Sequence, residues 1–241
     1  CRLSRVEPLE NRRVIAIHQP NYLPWLGFFY KIARADVFVF LDDAQFTKGS
    51  YINRVQVLAG NEAKWLTIPV SYKFGDLIND IRPAIPDWPS HHMDTLRNYY
   101  RSAPCFRTAW PRIKRLYEGV PDSDLASINR FLIDGIASEL GLNGIFKASS
   151  GTPTGELTSD ERLVALVASI DAGGTYLSGT GGAGYQDPEK FASAGLGFQY
   201  SDFQRPRYEQ MGEKFVEGLS VLDAVFHLGW ANTADLLVQG H

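Results

Sequence analysis

Val14-Ile15-Ala16-Ile17-His18-Gln19-Pro20-Asn21-Tyr22-Leu23-Pro24-Trp25 is an apolar, β-branched run that stops in a turn fixed by two prolines. Residues 13–17 read as a strand buried on both sides. Pro20 and Pro24 each lock a backbone angle and end the regular structure. Beyond the turn, 25–35 carry Phe28, Phe29, Ile32 and Ala33 near helical spacing. Residues 37–41 (Val-Phe-Val-Phe-Leu) form a second buried strand that closes on two acids, Asp42 and Asp43. Strand, helix, strand in immediate succession is the opening of a parallel sheet.

The end of the chain repeats the alternation. Residues 144–148 read as a strand and 160–171 as a helix capped by Ser159. Residues 175–177 are a strand, followed by the glycine loop Ser178-Gly179-Thr180-Gly181-Gly182-Ala183-Gly184. Pro188 sits in the first turn of another helix, where its missing N–H is harmless, and 197–200 form a last strand. Short helices at 222–229 and 233–238 finish the chain. Between these halves the pattern changes. Residues 55–58 and 65–70 look like strands around an Ala59-Gly60-Asn61 turn, with a third piece near Ile81. Helices follow at 89–102, 107–118 and 123–141, with Asp122 as cap and Gly141 as stop for the last. The fold expected is α/β: a Rossmann-like parallel sheet with helices on both faces, a small β insertion (44–85) and a helical insertion (88–141). It forms a single domain over 13–241, with 1–12 as a tail.

Bulk properties narrow the classes. The 241 residues are 44% hydrophobic and 21% charged, with a net charge of −3. That balance gives no footprint for nucleic acid or an anionic membrane. No apolar run reaches the roughly 18 residues that span a bilayer, and the polar opening is unlike a signal segment. Two cysteines, Cys1 and Cys105, make neither a disulfide framework nor a zinc spacing. They fit a reducing compartment, so the expected location is the cytoplasm. Cys105, between Pro104 and Phe106, has no base beside it in sequence and is a poor nucleophile candidate.

Loops at the carboxyl ends of parallel strands collect at one edge, and ligands bind where the strand order reverses. Three segments fall there: 18–25, 42–54 and 178–185. His18 follows the first strand directly, with Gln19, Asn21 and Tyr22 as polar neighbours on a rigid loop. His18 is a candidate general base or transition-state donor; the plainer alternative is a bond to a neighbouring backbone. Asp42 or Asp43 can orient it, hold a ligand hydroxyl or bind a divalent metal. Arg54, near Asn53, can clamp a carboxylate or phosphate, or else pair with Asp42 or Asp43 to pin the insertion. Ser178, Gly179, Gly181 and Gly182 ahead of a helix form a candidate phosphate cradle, the alternative being a surface loop. Tyr208 and Gln210 follow the last strand and are placed to close over a ligand, and Ser149-Ser150 also follow a strand. His91-His92 read as a solvated helix face, and Phe226, His227 and Leu228 as core packing. No particular metal site is expected.

The stretch from Ile17 to Phe29 resembles the opening signature of the WbqC-like family. Asp42-Asp43-Ala44-Gln45-Phe46, Asn53-Arg54, Trp65-Leu66-Thr67-Ile68-Pro69-Val70, Tyr176-Leu177-Ser178-Gly179 and Tyr208-Glu209-Gln210 are similar in turn. Lys48-Gly49-Ser50-Tyr51 departs from the pattern, which has more arginine and a tryptophan. The resemblance implies an enzyme of bacterial surface-glycan (O-antigen) biosynthesis. It would be a transferase or ligase acting on a sugar nucleotide or an acyl or aminoacyl donor, with a nucleotide as possible cofactor. A looser similarity is to HIGH-type nucleotidyltransferases and pantoate ligases. Their helix-start histidines are replaced here by Leu23-Pro24-Trp25-Leu26-Gly27. The alternatives are a non-catalytic protein that binds a nucleotide or sugar nucleotide, and a scaffold of a glycan-assembly complex.

Overall fold

A computed structural model describes residues 12–184 and 186–238. Cys1, most of the proposed tail and Tyr185 lie outside the described residues. In chain order the elements are β1 (Val14–His18), α1 (Leu26–Arg34), β2 (Val37–Phe40), β3 (Arg54–Ala59), β4 (Glu62–Thr67), α2 (Trp88–Tyr100), α3 (Phe106–Glu118), α4 (Leu125–Glu139), β5 (Ile145–Ala148), α5 (Ser159–Ile170), β6 (Thr175–Ser178), α6 (Pro188–Ser193), β7 (Gly197–Tyr200) and α7 (Val221–Val238), which breaks at Gly229, φ +81°.

Five strands form one parallel sheet in the order β5-β2-β1-β6-β7. The two-residue period of a strand sends alternate side chains to opposite faces. Ile15, Ile17, Val37 and Val39 meet Leu166 and Val167 of α5 and Phe191 of α6 on one face. Ala16, Phe38 and Phe40 turn to the other, against Phe28, Phe29 and Ile32 of α1 and Val225 and Phe226 of α7. Helices therefore cover both faces, as the uninterrupted apolar strands require. Among the described residues, no helix is long and apolar enough to cross a membrane.

The segment between β2 and β5 holds the β3–β4 hairpin and three helices. The hairpin turns at Gly60-Asn61, where Gly60 takes φ +65°. The third strand expected near Ile81 is absent. Residues Ile78–Asp80 form a single 3-10 turn instead, and Val70 meets Pro83 only as an isolated bridge. Pro83 has no N–H to extend a ladder. The cap of α4 is Asp124 rather than Asp122: its carboxylate accepts from the Ser127 N–H at 2.8 Å, while Asp122 is exposed. Gly141, at φ +71°, does end α4. Thr158, not Ser159, precedes α5, and Ser159 is itself in the helix at φ +52°.

This segment grips the turn after β1. Asn129 of α4, fully buried, donates from Nδ2 to the Pro20 carbonyl at 2.8 Å and to the Ile52 carbonyl at 2.7 Å. The Tyr22 hydroxyl lies 2.7 Å from His92 Nδ1 and also meets the Tyr117 hydroxyl. His92 Nε2 lies 3.0 Å from the Thr67 carbonyl. A carbonyl only accepts, so Nε2 carries the proton, Tyr22 donates to Nδ1, and Tyr117 donates to Tyr22. His92 is thus buried and bonded, against the solvated face expected for it; His91 alone is exposed. Within the turn Leu23 is held at φ +41°, a left-handed conformation costly for a leucine.

Replacing Tyr22 by Phe leaves the His92 acceptor and the Tyr117 donor without their partner in the interior. The expected loss is about 1–3 kcal/mol in urea unfolding. A midpoint equal to that of the unaltered protein would show that the chain of bonds contributes nothing.

Candidate functional site

Leaving β1, the chain first builds β2 and β5 on one side, then returns as β6 on the other. The reversal opens a cleft at the carboxyl ends of β1 and β6. The cleft is about 850 Å³, and its lining includes His18, Gln19, Lys31, Asp43, Arg162 and Ser178. Thus His18, Gln19, Asp43, Ser178, Gly179, Gly181 and Gly182 come together as the sequence predicts.

The expectation of a single constellation is corrected for the others, which do not face this cleft. Tyr22 is in the core. Asn53 is buried and donates to the Ile68 carbonyl. Arg54 bonds the Gly49 carbonyl and lies 4.1 Å over the Trp65 ring, so it pairs with neither acid. Asp42, 5% exposed, accepts from the Ser149 hydroxyl and from the Ser150 N–H and hydroxyl. Tyr208 and Gln210 both donate to the Asp223 carboxylate, which holds the 201–219 segment onto α7. Asn21 is half-buried and lies outside the lining.

The protonation state of His18 follows from geometry. Its Nδ1 sits 2.9 Å from the Gln19 carbonyl, so Nδ1 is the N–H and the neutral ring keeps a lone pair on Nε2. Burial, then the charge of Lys31, drive its pKa down to about 4, outweighing the bond to Gln19. The ring packs edge-on against Phe28, 4.9 Å between centroids. Asp43, in the same lining, is ionised. Partial burial pushes its pKa up, but hydrogen bonds from Ser149 and Arg162, with the Arg162 charge, hold it below the usual carboxylate value.

The glycine loop lines the cleft without being the cradle expected. Of the described loop glycines, none is in the left-handed region that forms an anion nest. The end of α6 is already filled by acids: Asp187 caps the Glu189 N–H and donates its own N–H to Asp160. Ser178 donates to Gln186, and a Cβ on Gly182 would strike both side chains. Gly27 has a similar reason. A Cβ there would lie 2.5 Å from the Trp25 indole, which rests on the first turn of α1 beside Phe203.

Sequence reasoning missed Lys31 and Arg162. Lys31 sits three residues after Phe28 on the buried stripe of α1, and a lysine on such a stripe was the available signal. It is 5% exposed, and its ammonium donates to the Ile17 carbonyl at 3.2 Å. Burial lowers its pKa to about 8. Arg162 carried no signal, since it looks like any polar position of α5. Among the described residues, no three His, Cys, Asp or Glu side chains converge as a metal site.

The fold and cleft define an α/β protein with an open cleft at its topological switch point. Residues 19–235 match the WbqC-like protein family, so the chain belongs to that family. It is also similar to the uncharacterized protein Rv1507c of Mycobacterium tuberculosis, with 30% identity over 219 residues, covering 89% of this chain and 94% of that one. No solved structure matches the chain.

Lys31 binds a proton more weakly in the fold (about 8) than in the unfolded chain (10.5). Between those values the unfolded state holds the extra proton. Stability therefore rises with pH there, by up to about 1.4 kcal/mol per unit from this group. Lys31→Met is expected to raise stability at pH 7 by about 1–3 kcal/mol and to remove that rise. Denaturant midpoints from pH 7 to 10.5 test this; parallel curves for the two proteins would contradict it.

Proposed function

We propose that the chain is a group-transfer enzyme acting on a small-molecule donor, with His18 as its general base. The observation that carries this reading is the neutral His18 ring, whose unprotonated Nε2 belongs to a cleft-lining side chain at the switch point. An acceptor hydroxyl or amine gives its proton to Nε2 as its oxygen or nitrogen bonds to the donor carbon. The leaving group departs with the electrons of the broken bond. The resulting imidazolium keeps its Nδ1–H on the Gln19 carbonyl, which fixes the ring. Asp43, anchored by Arg162 in the same lining, is an ionised acceptor for substrate hydroxyls. A cleft of about 850 Å³ suits a ligand the size of a sugar nucleotide or an activated acyl group. The setting in bacterial surface-glycan assembly, in the cytoplasm, rests on the family resemblance.

The test incubates the full chain with sugar-nucleotide and acyl donors and follows the modified acceptor by mass spectrometry. His18→Asn is expected to lower turnover about 10²–10⁴-fold while the protein stays folded. The kcat/KM of the unaltered protein, which reports the free enzyme, is expected to hold as pH falls from 7 to 5, because His18 stays neutral there until about pH 4. Undiminished turnover by folded His18→Asn would overturn the assignment. Binding of a donor with no product from any of them would favour a non-catalytic nucleotide-binding protein.

A further inference from the structure

Lys31 is a buried cation with no anion of its own. Among the described residues, no carboxylate lies within ion-pair distance of its ammonium. One donor goes to the Ile17 carbonyl at 3.2 Å, and an ammonium has three. The other charged and titratable groups on the lining are His18 of β1, Asp43 after β2, Asp160 and Arg162 of α5, Tyr176 of β6, and Arg205. The acids have partners elsewhere. Asp43 is bound by Arg162, and Asp160 accepts from the Asp187 N–H with Lys190 4.0 Å away. Arg205 is paired with Glu217 at 3.0 Å. Desolvating a lysine is costly, and the fold leaves this one uncompensated at the switch point of the sheet.

The geometry points to Lys31 as the seat of a substrate oxyanion, a phosphate or carboxylate group held beside His18 on the floor of the cleft. The first turn of α1 supports it. That turn contains no acid, and its N-cap residue, Trp25, contributes no side-chain cap, so the positive end of the helix is not neutralised from within. The seat deepens the group-transfer reading, because the Lys31 charge is one of the two causes that weaken His18 as a base. An oxyanion on Lys31 offsets that charge and makes Nε2 more basic when substrate is present. Binding also holds Lys31 protonated, so above pH 8 the complex takes up a proton.

The test is calorimetric titration of the full chain with pyrophosphate and, separately, malonate, from pH 6 to 10. The unaltered protein is expected to bind at least one of them. Its affinity for the fully ionised probe should be level from pH 7 to 8 and fall toward tenfold per pH unit above it. Lys31→Met is expected to weaken binding at least tenfold, and a preference for pyrophosphate or malonate tells a phosphate source from a carboxylate one. Equal binding by Lys31→Met, affinity for the fully ionised probe unchanged from pH 7 to 10, or binding of neither probe would each overturn the seat. Should Lys31→Met fail to fold, the pH profile of the unaltered protein decides the matter by itself. Pyrophosphate binding retained in His18→Asn, with group transfer never detected, would defeat the catalytic reading and leave the anion seat standing.

Discussion

The parallel sheet reverses its strand order at β1, and the cleft lined by His18, Lys31 and Asp43 hangs on that reversal. The chain leaves β1 to build β2 and β5 on one side and returns as β6 on the other, and the cleft opens at the carboxyl ends of β1 and β6. The turn after β1 borders that cleft and is held in place. Rigidity comes from outside the sheet. Asn129 bridges the turn and the start of the β insertion, and the Tyr22, His92 and Tyr117 bonds nail the turn to the inserted helices. The inserted segment is therefore a clamp on the site more than an appendage to the sheet. The left-handed Leu23 is the local cost of that clamp.

Within the cleft, charge is distributed unevenly. Asp43 is bound to Arg162 and Ser149 and Asp160 accepts from the Asp187 N–H, while the floor holds one neutral imidazole and one ammonium whose partner among the described residues is a carbonyl. In a low-dielectric setting burial weakens the charged form of both groups, and the Lys31 charge weakens that of His18 further. Such a floor is poor for stability and good for receiving an anion, since the ligand supplies the charge that the protein omits.

The sheet was legible because its signals are strong. Apolar β-branched runs at 13–17 and 37–41, separated by a proline turn, leave little choice but a buried parallel pair. The polar residues were harder. His18, Asp43 and Ser178 are found by position alone, at or just past the end of a strand. Tyr22, two residues from a proline, looks equally exposed in sequence, yet its partner His92 is 70 residues away and the bond between them is invisible until the helices pack. Arg54 illustrates the same limit, as its stacking partner Trp65 lies across a hairpin. The glycine loop misled for another reason. Composition shows that backbone can approach an anion, but not that Asp187 and Asp160 already fill the helix end behind it.

His18 stands neutral in the cleft with its proton on Nδ1, and the proposed chemistry depends on that state. Nitrogen-15 NMR of histidine-labelled protein, with the His18 signals assigned by loss in His18→Asn, reads both properties. The expected spectrum shows a protonated Nδ1 and a bare Nε2 that persist unchanged from pH 7 down to pH 5, with titration only near pH 4. A His18 that titrates near its ordinary value of 6.5, or that carries its proton on Nε2, would contradict the account.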